Sequence, residues 1–548
     1  MWVAIALLSL AVWATFGRTA ANDLVFDDLD TIKHNKAITS LDNLGLLFSK
    51  QYFELTDEYS YRPVVTLSYF LDHAIAGKHP RVYHLHNVAL HHANVLLAFA
   101  LFSLLGAGRW RSFAIALLFA LHPLQTEAVI FPSFREDLQM TTGMLAMGCC
   151  LAADRERARG AWILGAAVAL AFGLFAKEGA LLLPVAWLIL DAVLDFKASR
   201  PVALRRRYVP LALVVIGYVA IRFFVMTNPA AAEMDVIDRL PPGQRIATAP
   251  HLFTYYIQQF LWPTPLCVIH DVKALSATGP AFYVSLSVAA GFVALWIGLA
   301  LRAPWVWLAG LWVGATFAPV SNLHQIINLW AERYYYSVNL GTSAIAVAAI
   351  GAGWALLARR VAEQRRRVLA IAGWVLVGLL AWWAALCDLG RILECQTSLS
   401  FWRATVRHVP THGNALVSLA IYELEAGNLS RAERLAHEAE QRGWVYQGNY
   451  ILGIAAYRQK DWGQAIAHFE NALNGVPASI THRTGLMETL ARSYLKVGQP
   501  DRAAATLRRA LDWDPRSPAA QKARNLLRQI EPKQADAPST PSVGNETP

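Results

Sequence analysis

The first 390 residues are apolar runs separated by short polar breaks, and that rhythm limits the fold more than any other feature. The runs cover roughly 2–17, 85–106, 111–130, 137–153, 160–176, 178–195, 208–226, 281–301, 304–320, 335–357 and 368–388. A bilayer-crossing helix needs about 20 such residues. Helices and closed barrels are the only structures that satisfy their own backbone in lipid. Several runs are shorter, and flanking amphipathic residues would extend them. The expectation is a polytopic all-α domain of about eleven transmembrane helices over residues 1–390. Residues 2–17 also resemble a signal peptide, with Thr19-Ala20-Ala21 as a small-residue cleavage site. No Lys or Arg precedes them, so a retained first helix is preferred. The aromatic stretch His251–Trp262 reads as a re-entrant or interfacial helix.

Composition agrees. Of 548 residues, 55% are hydrophobic and 16% charged, and the mean hydropathy is +0.33. The net charge of +10 sits largely in clusters such as Arg205-Arg206-Arg207 and Arg365-Arg366-Arg367, between apolar spans. That is a topological signal, and nucleic acid is not an expected partner. With a cytoplasmic N-terminus, the inner loops 109–111, 154–160, 196–207, 302 and 359–367 hold sixteen Lys and Arg. The short outer loops hold one each: Arg135, Lys177 and Arg333. This bias sets the orientation. An odd number of spans then puts Asp27, Asp28 and the C-terminal domain on the outer face. Of the five cysteines, Cys387 and Cys395 flank the end of the last span and are a possible pair in an oxidising compartment.

From about 398 to 530 the pattern becomes that of soluble helix pairs. The first carries Leu419-Ala420, Gly427 and Ala432. The second carries Leu452-Gly453, Ala465, Phe469, Ala472 and Pro477. The third carries Leu490-Ala491, Tyr494, Gly498, Ala503, Leu507, Ala510 and Pro515. Small residues at these places let two helices pack closely. The spacing looks like tetratricopeptide repeats, about three of them, forming an α-solenoid with a peptide-binding surface. The tail 531–548 is rich in Pro, Ser, Thr and Asn and is expected to be disordered.

The first outer loop, 18–84, is too long for a mere connector. It holds Asp27 and Asp28, then Tyr61-Arg62-Pro63 and an amphipathic stretch, Val64–Ala76. Charges at a membrane face are costly and tend to be functional. The other outer breaks add Arg135-Glu136-Asp137, Lys177-Glu178, His270-Asp271 and Glu332-Arg333. Sugar transfer from a lipid phosphate needs a carboxylate to take the hydroxyl proton and cations for the leaving phosphate; these breaks supply both. Each has a plainer account. Asp27 and Asp28 fit a solvated loop, Lys177-Glu178 a local turn, and Arg333 with Tyr334, Tyr335 and Tyr336 an aromatic belt at the headgroups. The histidines His84, His86, His91 and His92 invite a metal reading. No Cys or carboxylate cluster completes a ligand set, so no metal is expected, and one His hydrogen-bonded to substrate is preferred.

Taken in order, these stretches resemble the transmembrane and tetratricopeptide-repeat O-mannosyltransferases of the glycosyltransferase-C superfamily. Phe26-Asp27-Asp28 looks like the acidic motif of the first outer loop, and Tyr59-Ser60-Tyr61-Arg62-Pro63 like an S-Y-R-P motif. Tyr83-His84-Leu85-His86-Asn87-Val88 with Leu90-His91 is similar to an H-L-x-N-x-x-L-H helix start. Phe119–Val129, holding His122 and Glu127, resembles an H-P-x-x-T-E-A-V signature, the most specific of the set. Arg135-Glu136-Asp137-Leu138, Phe175–Ala180 and Ala331-Glu332-Arg333-Tyr334 with Gly341 look like the R-A-D/E-L, S-K-E-x-A and A-E-R-Y motifs. The likeness covers about 24–341. Glu136 stands where a small residue is usual, and Ser337 where the family tends to be apolar.

The resemblance implies a lipid-phosphate mannose donor, inversion at the anomeric carbon, and protein Ser or Thr hydroxyls as acceptors. Asp27 would be the base with Asp28 in reserve, and Arg135, Lys177 and Arg333 would bind the donor phosphate. Other candidates are Arg62, His84, His91, His122, Glu127, Glu136, Asp137, Glu178, His270, Asp271 and Glu332. The expected protein is a multi-pass enzyme of a bacterial inner membrane, with periplasmic repeats, a polyprenyl-phosphate donor, a protein or peptide acceptor, and no cofactor or divalent metal. One alternative is the same fold acting on an envelope glycan or lipid. Another is a membrane-anchored repeat scaffold without activity.

Overall fold

Each apolar run closes its backbone hydrogen bonds internally, and in the computed structural model every one is helical. The structure describes all residues except 57–59, 198–202, 229–240, 271–278, 325, 327, 476–482, 516–517 and 531–548. No strand occurs among the described residues. The chain divides into two units, Met1–Phe401 and Trp402–Pro548.

In the first unit the helices are α1 (Trp2–Phe16), α2 (Gln51–Thr56), α3 (Pro63–Ala76), α4 (Pro80–Leu104), α5 (Arg109–Leu121), α6 (Thr126–Ile130), α7 (Arg135–Glu156), α8 (Gly160–Ala176), α9 (Leu183–Lys197) and α10 (Leu204–Ala220). They continue as α11 (Pro242–Leu261), α12 (Pro280–Ala300), α13 (Trp305–Phe317), α14 (Tyr336–Arg359) and α15 (Glu363–Glu394). Among the described residues, seven helices are long and apolar enough to cross a membrane. There are up to eight if α5 and the Pro123–Ile130 segment, bent by 56°, form one span. The expected count of about eleven is not confirmed by this measure. The shortfall has a physical cause: Gly160–Ala176 and Trp305–Val320 are short, and α7 begins with three charges. The bend follows from Pro123, which has no N–H to continue the helix; His122 Nδ1 accepts the Leu124 N–H instead.

Helix exteriors are apolar where lipid would lie. On α1, Ala4, Leu8 and Val12 are buried while Trp2, Leu7 and Leu10 are exposed. On α15, Ile371, Leu379 and Trp382 face outward. The stretch 251–262 is the second half of α11, whose buried face includes Leu252, Phe253 and Tyr256. The Val64–Ala76 stretch is α3, which buries Val65, Tyr69 and Phe70.

Charges gather at opposite ends of the helices. At one end Asp154, Asp191 and Asp195 clamp α7, α9 and α10 together. Arg155 reaches Asp191 at 2.5 Å and Asp195 at 2.7 Å, and Arg207 reaches Asp154 and Asp191 at 2.8 Å each. The other end carries the cluster described below. Cys387 and Cys395 are free thiols. They lie eight residues apart along α15 and its cap, ~12 Å of helical rise, beyond disulfide reach.

The second unit follows α16 (Ser398–His408), which straddles the boundary. It consists of the pairs α17 (Gly413–Glu425)/α18 (Leu429–Gln441), α19 (Val445–Arg458)/α20 (Trp462–Gly475) and α21 (Arg483–Lys496)/α22 (Pro500–Trp513), then α23 (Pro518–Ile530). The three expected helix pairs are all present. Their small residues are the contacts: Ala420, Ala432, Ala465, Ala491, Ala503 and Ala510 are fully buried. A Cβ on Gly453 would stand 2.5 Å from the Phe469 ring. Pro477 and the tail 531–548 lie outside the described residues.

Candidate active site

The acidic loop is built by dividing labour between its two aspartates. Asp28 is fully buried. Its Oδ1 accepts the Ser133 N–H at 2.7 Å and its Oδ2 the Val25 N–H at 3.3 Å. Burial pushes its carboxyl up to about 7, against these hydrogen bonds. Asp28 is thus a structural pin between the loop and the turn after α6. Phe26 takes φ 56°, a left-handed conformation uncommon for a bulky residue. Its ring is held between Phe131 and Phe401. Such strain persists only where the surroundings fix it.

The turn leaves Asp27 with an exposed side chain. Among the described residues no hydrogen bond or ion pair engages its carboxylate. The protein mass around it desolvates it and raises its pKa. The Arg333 guanidinium pulls the other way, and Glu136 adds to the rise.

The cations facing this loop each have a carboxylate. Arg333 Nη1 lies 2.5 Å from Glu127 Oε1, and the Arg333 N–H donates to Glu127 Oε2 at 2.8 Å. Its guanidinium lies 3.9 Å over the Phe134 ring. Lys177 Nζ donates to both oxygens of Asp137 at 2.7 Å and stands 3.7 Å from Glu136. Tyr334 shares its ring with both cations, 5.4 Å from Lys177 and 5.2 Å from Arg333. Arg62 pairs with Glu136 at 3.0 Å. Glu178 feels the charges of Arg62 and Lys177. The placement of Lys177 depends on backbone contact between α7 and α8. A Cβ at Gly143 would be 2.6 Å from both Ala169 O and Gly173 N, so only glycine permits the approach.

The structure brings Asp27, Arg62, Glu127, Glu136, Asp137, Lys177, Glu178 and Arg333 together. Arg135 is not among them. Its side chain is wholly buried. Its guanidinium is filled by Asp72 at 2.6 Å, Asn87 Oδ1 at 2.8 Å, Ser68 Oγ at 2.9 Å and Tyr83 O at 3.0 Å. It joins α3, α4 and α7 and has no face for a phosphate. The histidines are also occupied. His84 bridges Ile130 O and Asp23 O. His91 bridges Tyr336 Oη and Ala120 O. His122 Nε2 meets Phe260 O. His270 and the buried Glu332 meet at 3.4 Å, and Glu332 Oε1 accepts the Cys267 N–H at 2.6 Å. Asp271 lies outside the described residues. Tyr335 and Tyr336 are fully buried, so they belong to the core and not to a headgroup belt. The roles of Phe26, Ser133 and Phe134 carried no signal in the sequence, because they depend on backbone conformation and on a long-range turn. Among the described residues no group of three or more His, Cys, Asp or Glu is arranged to hold a metal ion.

Because Glu136 raises Asp27, Glu136→Gln should move any activity limb governed by Asp27 to lower pH. A base works when deprotonated, so activity rises with pH through its pKa. A pH–rate profile checks this; a limb that stays put or moves upward contradicts it.

Fold and site together define a helical membrane protein with a charged cluster at one end of its spans, followed in the chain by a repeat unit. A tetratricopeptide-repeat family profile matches residues 456–537. The chain is 42% identical over 123 residues to the human and mouse protein O-mannosyl-transferase TMTC2, covering 21% of this chain and 14% of the relative. It is 25% identical over 345 residues to the Caenorhabditis elegans protein O-mannosyl-transferase F38B6.6, covering 58% and 47%. It is 30% identical over 189 residues to human TMTC4, covering 30% and 25%. The chain thus spans from about a seventh to about half of the length of these relatives. Among solved structures, the apo oligosaccharyltransferase of Archaeoglobus fulgidus has a TM-score of 0.37 at 11% identity, covering 71% of this chain and 56% of that one. ArnT from Cupriavidus metallidurans, bound to undecaprenyl phosphate, has a TM-score of 0.36 at 16% identity, covering 92% and 79%.

Proposed function

We propose that this chain is an inverting membrane glycosyltransferase moving mannose from a polyprenyl phosphate to a Ser or Thr hydroxyl of a protein. The acceptor oxygen forms a bond to the anomeric carbon while the bond from that carbon to the phosphate oxygen breaks. The hydroxyl proton passes to Asp27. The electron pair leaves on the phosphate, stabilised by Lys177, Arg62 and Arg333. One displacement inverts the anomeric centre. The observation that carries this reading is the contrast within the acidic loop: Asp28 is pinned by two backbone N–H groups, while Asp27 is exposed and within electrostatic reach of Arg333. The named activity of the relatives supports the choice of sugar and acceptor.

The site lies on the outer face, the periplasm of a bacterial cell, as the Arg-rich opposite end suggests. The repeat unit engages the protein acceptor. A monophosphate leaving group is neutralised by the side-chain cations, so no divalent metal is required. The test is transfer of radiolabel from polyprenyl-phosphate mannose into protein by membranes holding the full chain, with and without chelator. The expected result is label in protein in both arms. A strict need for added Mg or Mn sinks the metal-free mechanism, and label only in glycan or lipid sinks the protein acceptor.

A further inference from the structure

A recess of ≈ 460 Å³ opens in the repeat unit between α20, α21 and α22, within the range of ligand pockets, about 300–1,000 Å³. Arg483, Met487, Leu490 and Tyr494 line it along α21, and Arg502 and Arg509 along α22. The exposed Arg492 and Lys496 lie on the far side of α21, about 200° around the helix from Leu490 and Tyr494. Three arginines and one carboxylate, Glu470, line the recess. Glu470 holds Arg502 at 2.7 Å and accepts a hydrogen bond from the Tyr494 hydroxyl. The Arg502 guanidinium lies 4.4 Å over the Tyr494 ring. The other two arginines are not neutralised in this way. Arg483 lies 4.3 Å over the Trp513 ring, and its Nε is buried without a hydrogen-bond partner among the described residues. Trp513 stands one turn beyond Arg509 on α22, so Arg483 and Arg509 share one end of the recess. Among the described residues no carboxylate pairs with either of them. Between the two ends the floor is Met487 and Leu490, both buried.

We propose that this recess binds an acidic peptide segment of a protein partner, with a carboxylate between Arg483 and Arg509 and an apolar neighbour over Met487 and Leu490. Two guanidinium groups without counter-ions attract an anion, and their planar forks match a carboxylate. The apolar floor takes a side chain next to that anion, which a free ion lacks. An anionic membrane surface is the poorer fit. Basic residues that attract lipid headgroups act from an open face, whereas these line a recess between helices and share it with Glu470. Naming the partner as the protein acceptor rests on the proposed function. Acceptor segments that pair Glu or Asp with an apolar residue are then the ones the repeat unit retains.

The test uses the full chain in nanodiscs of zwitterionic lipid and short fluorescent peptides with Glu-Leu pairs around a Ser, beside their Gln-Leu counterparts. The Glu peptide should bind roughly tenfold tighter than the Gln peptide, the combined worth of two partly exposed charge pairs. The difference should shrink with added salt. Arg483→Gln combined with Arg509→Gln should remove the difference. Arg509→Glu alone, at an exposed position that the fold does not depend on, should turn the preference toward the Gln peptide. Lys496→Gln, on the far side of α21, should leave it intact. Equal binding of the two peptides, a preference that survives these arginine changes, an equal loss in Lys496→Gln, or displacement of the peptide by short-chain phosphatidylglycerol would overturn the proposal. Binding is read without sugar transfer. A preference for the Glu peptide in a protein that transfers no mannose would refute the proposed function and leave the recess standing, and mannose transfer without the preference would do the reverse.

Discussion

Arg135→Gln is expected to lower stability by ~3–5 kcal/mol, the cost of breaking a buried ion pair by removing one partner. The change strands the Asp72 carboxylate among α3, α4 and α7. Among the described residues, His86, whose Nδ1 lies 2.7 Å from the Asp72 Oδ1, remains as its side-chain ion-pair partner. It also removes the guanidinium from above the Tyr69 ring, 4.9 Å away. Thermal unfolding in detergent should show a large drop in Tm, and any remaining folded protein should keep its affinity for donor. Arg135→Lys should fail nearly as badly, since an ammonium cannot reach partners arranged around a planar fork. A variant with wild-type stability and a raised KM for donor would restore Arg135 as a phosphate ligand.

Asp27→Asn should behave in the opposite way. The fold asks nothing of this carboxylate, so Tm should stay within the small range of surface substitutions. Activity should fall by about 10²- to 10⁴-fold, the contribution of a positioned base, with kcat and not donor KM carrying the loss. Asp28→Asn is the informative control. An amide cannot accept from both the Val25 and Ser133 N–H groups. One of its NH2 donors would face another donor, costing about 1–3 kcal/mol. Its effect should therefore be a lower Tm, with activity reduced only as far as the loop is disturbed. If Asp28→Asn is the inactive, stable variant, the two roles are reversed.

The helical character of the first unit was legible because lipid forces each apolar run to satisfy itself as a helix, and the runs are long. The number of spans was less legible. Hydropathy alone does not distinguish a helix long enough to cross from a shorter one such as Gly160–Ala176. The repeats were readable from small residues such as Ala465 and Ala503, since close packing admits few alternatives there. The gathering of Asp27, Lys177 and Arg333 at one end was legible from charge placement alone. Their separation from Arg135 was not, although Arg135 and Glu136 are neighbours in sequence. At the first turn of a helix, adjacent side chains diverge by about 100°, so one meets the core while the other meets the cluster. The ranking of Asp27 over Asp28 was equally hidden. It depends on the backbone twist at Phe26 and on Ser133, 105 residues away from Asp28.

The most direct measurement of the central claim compares wild type with Asp27→Asn in membranes given radiolabelled polyprenyl-phosphate mannose. Both proteins should hold the donor equally well, and label should enter protein with wild type alone. Label entering protein at the same rate with both would show that Asp27 is not the base.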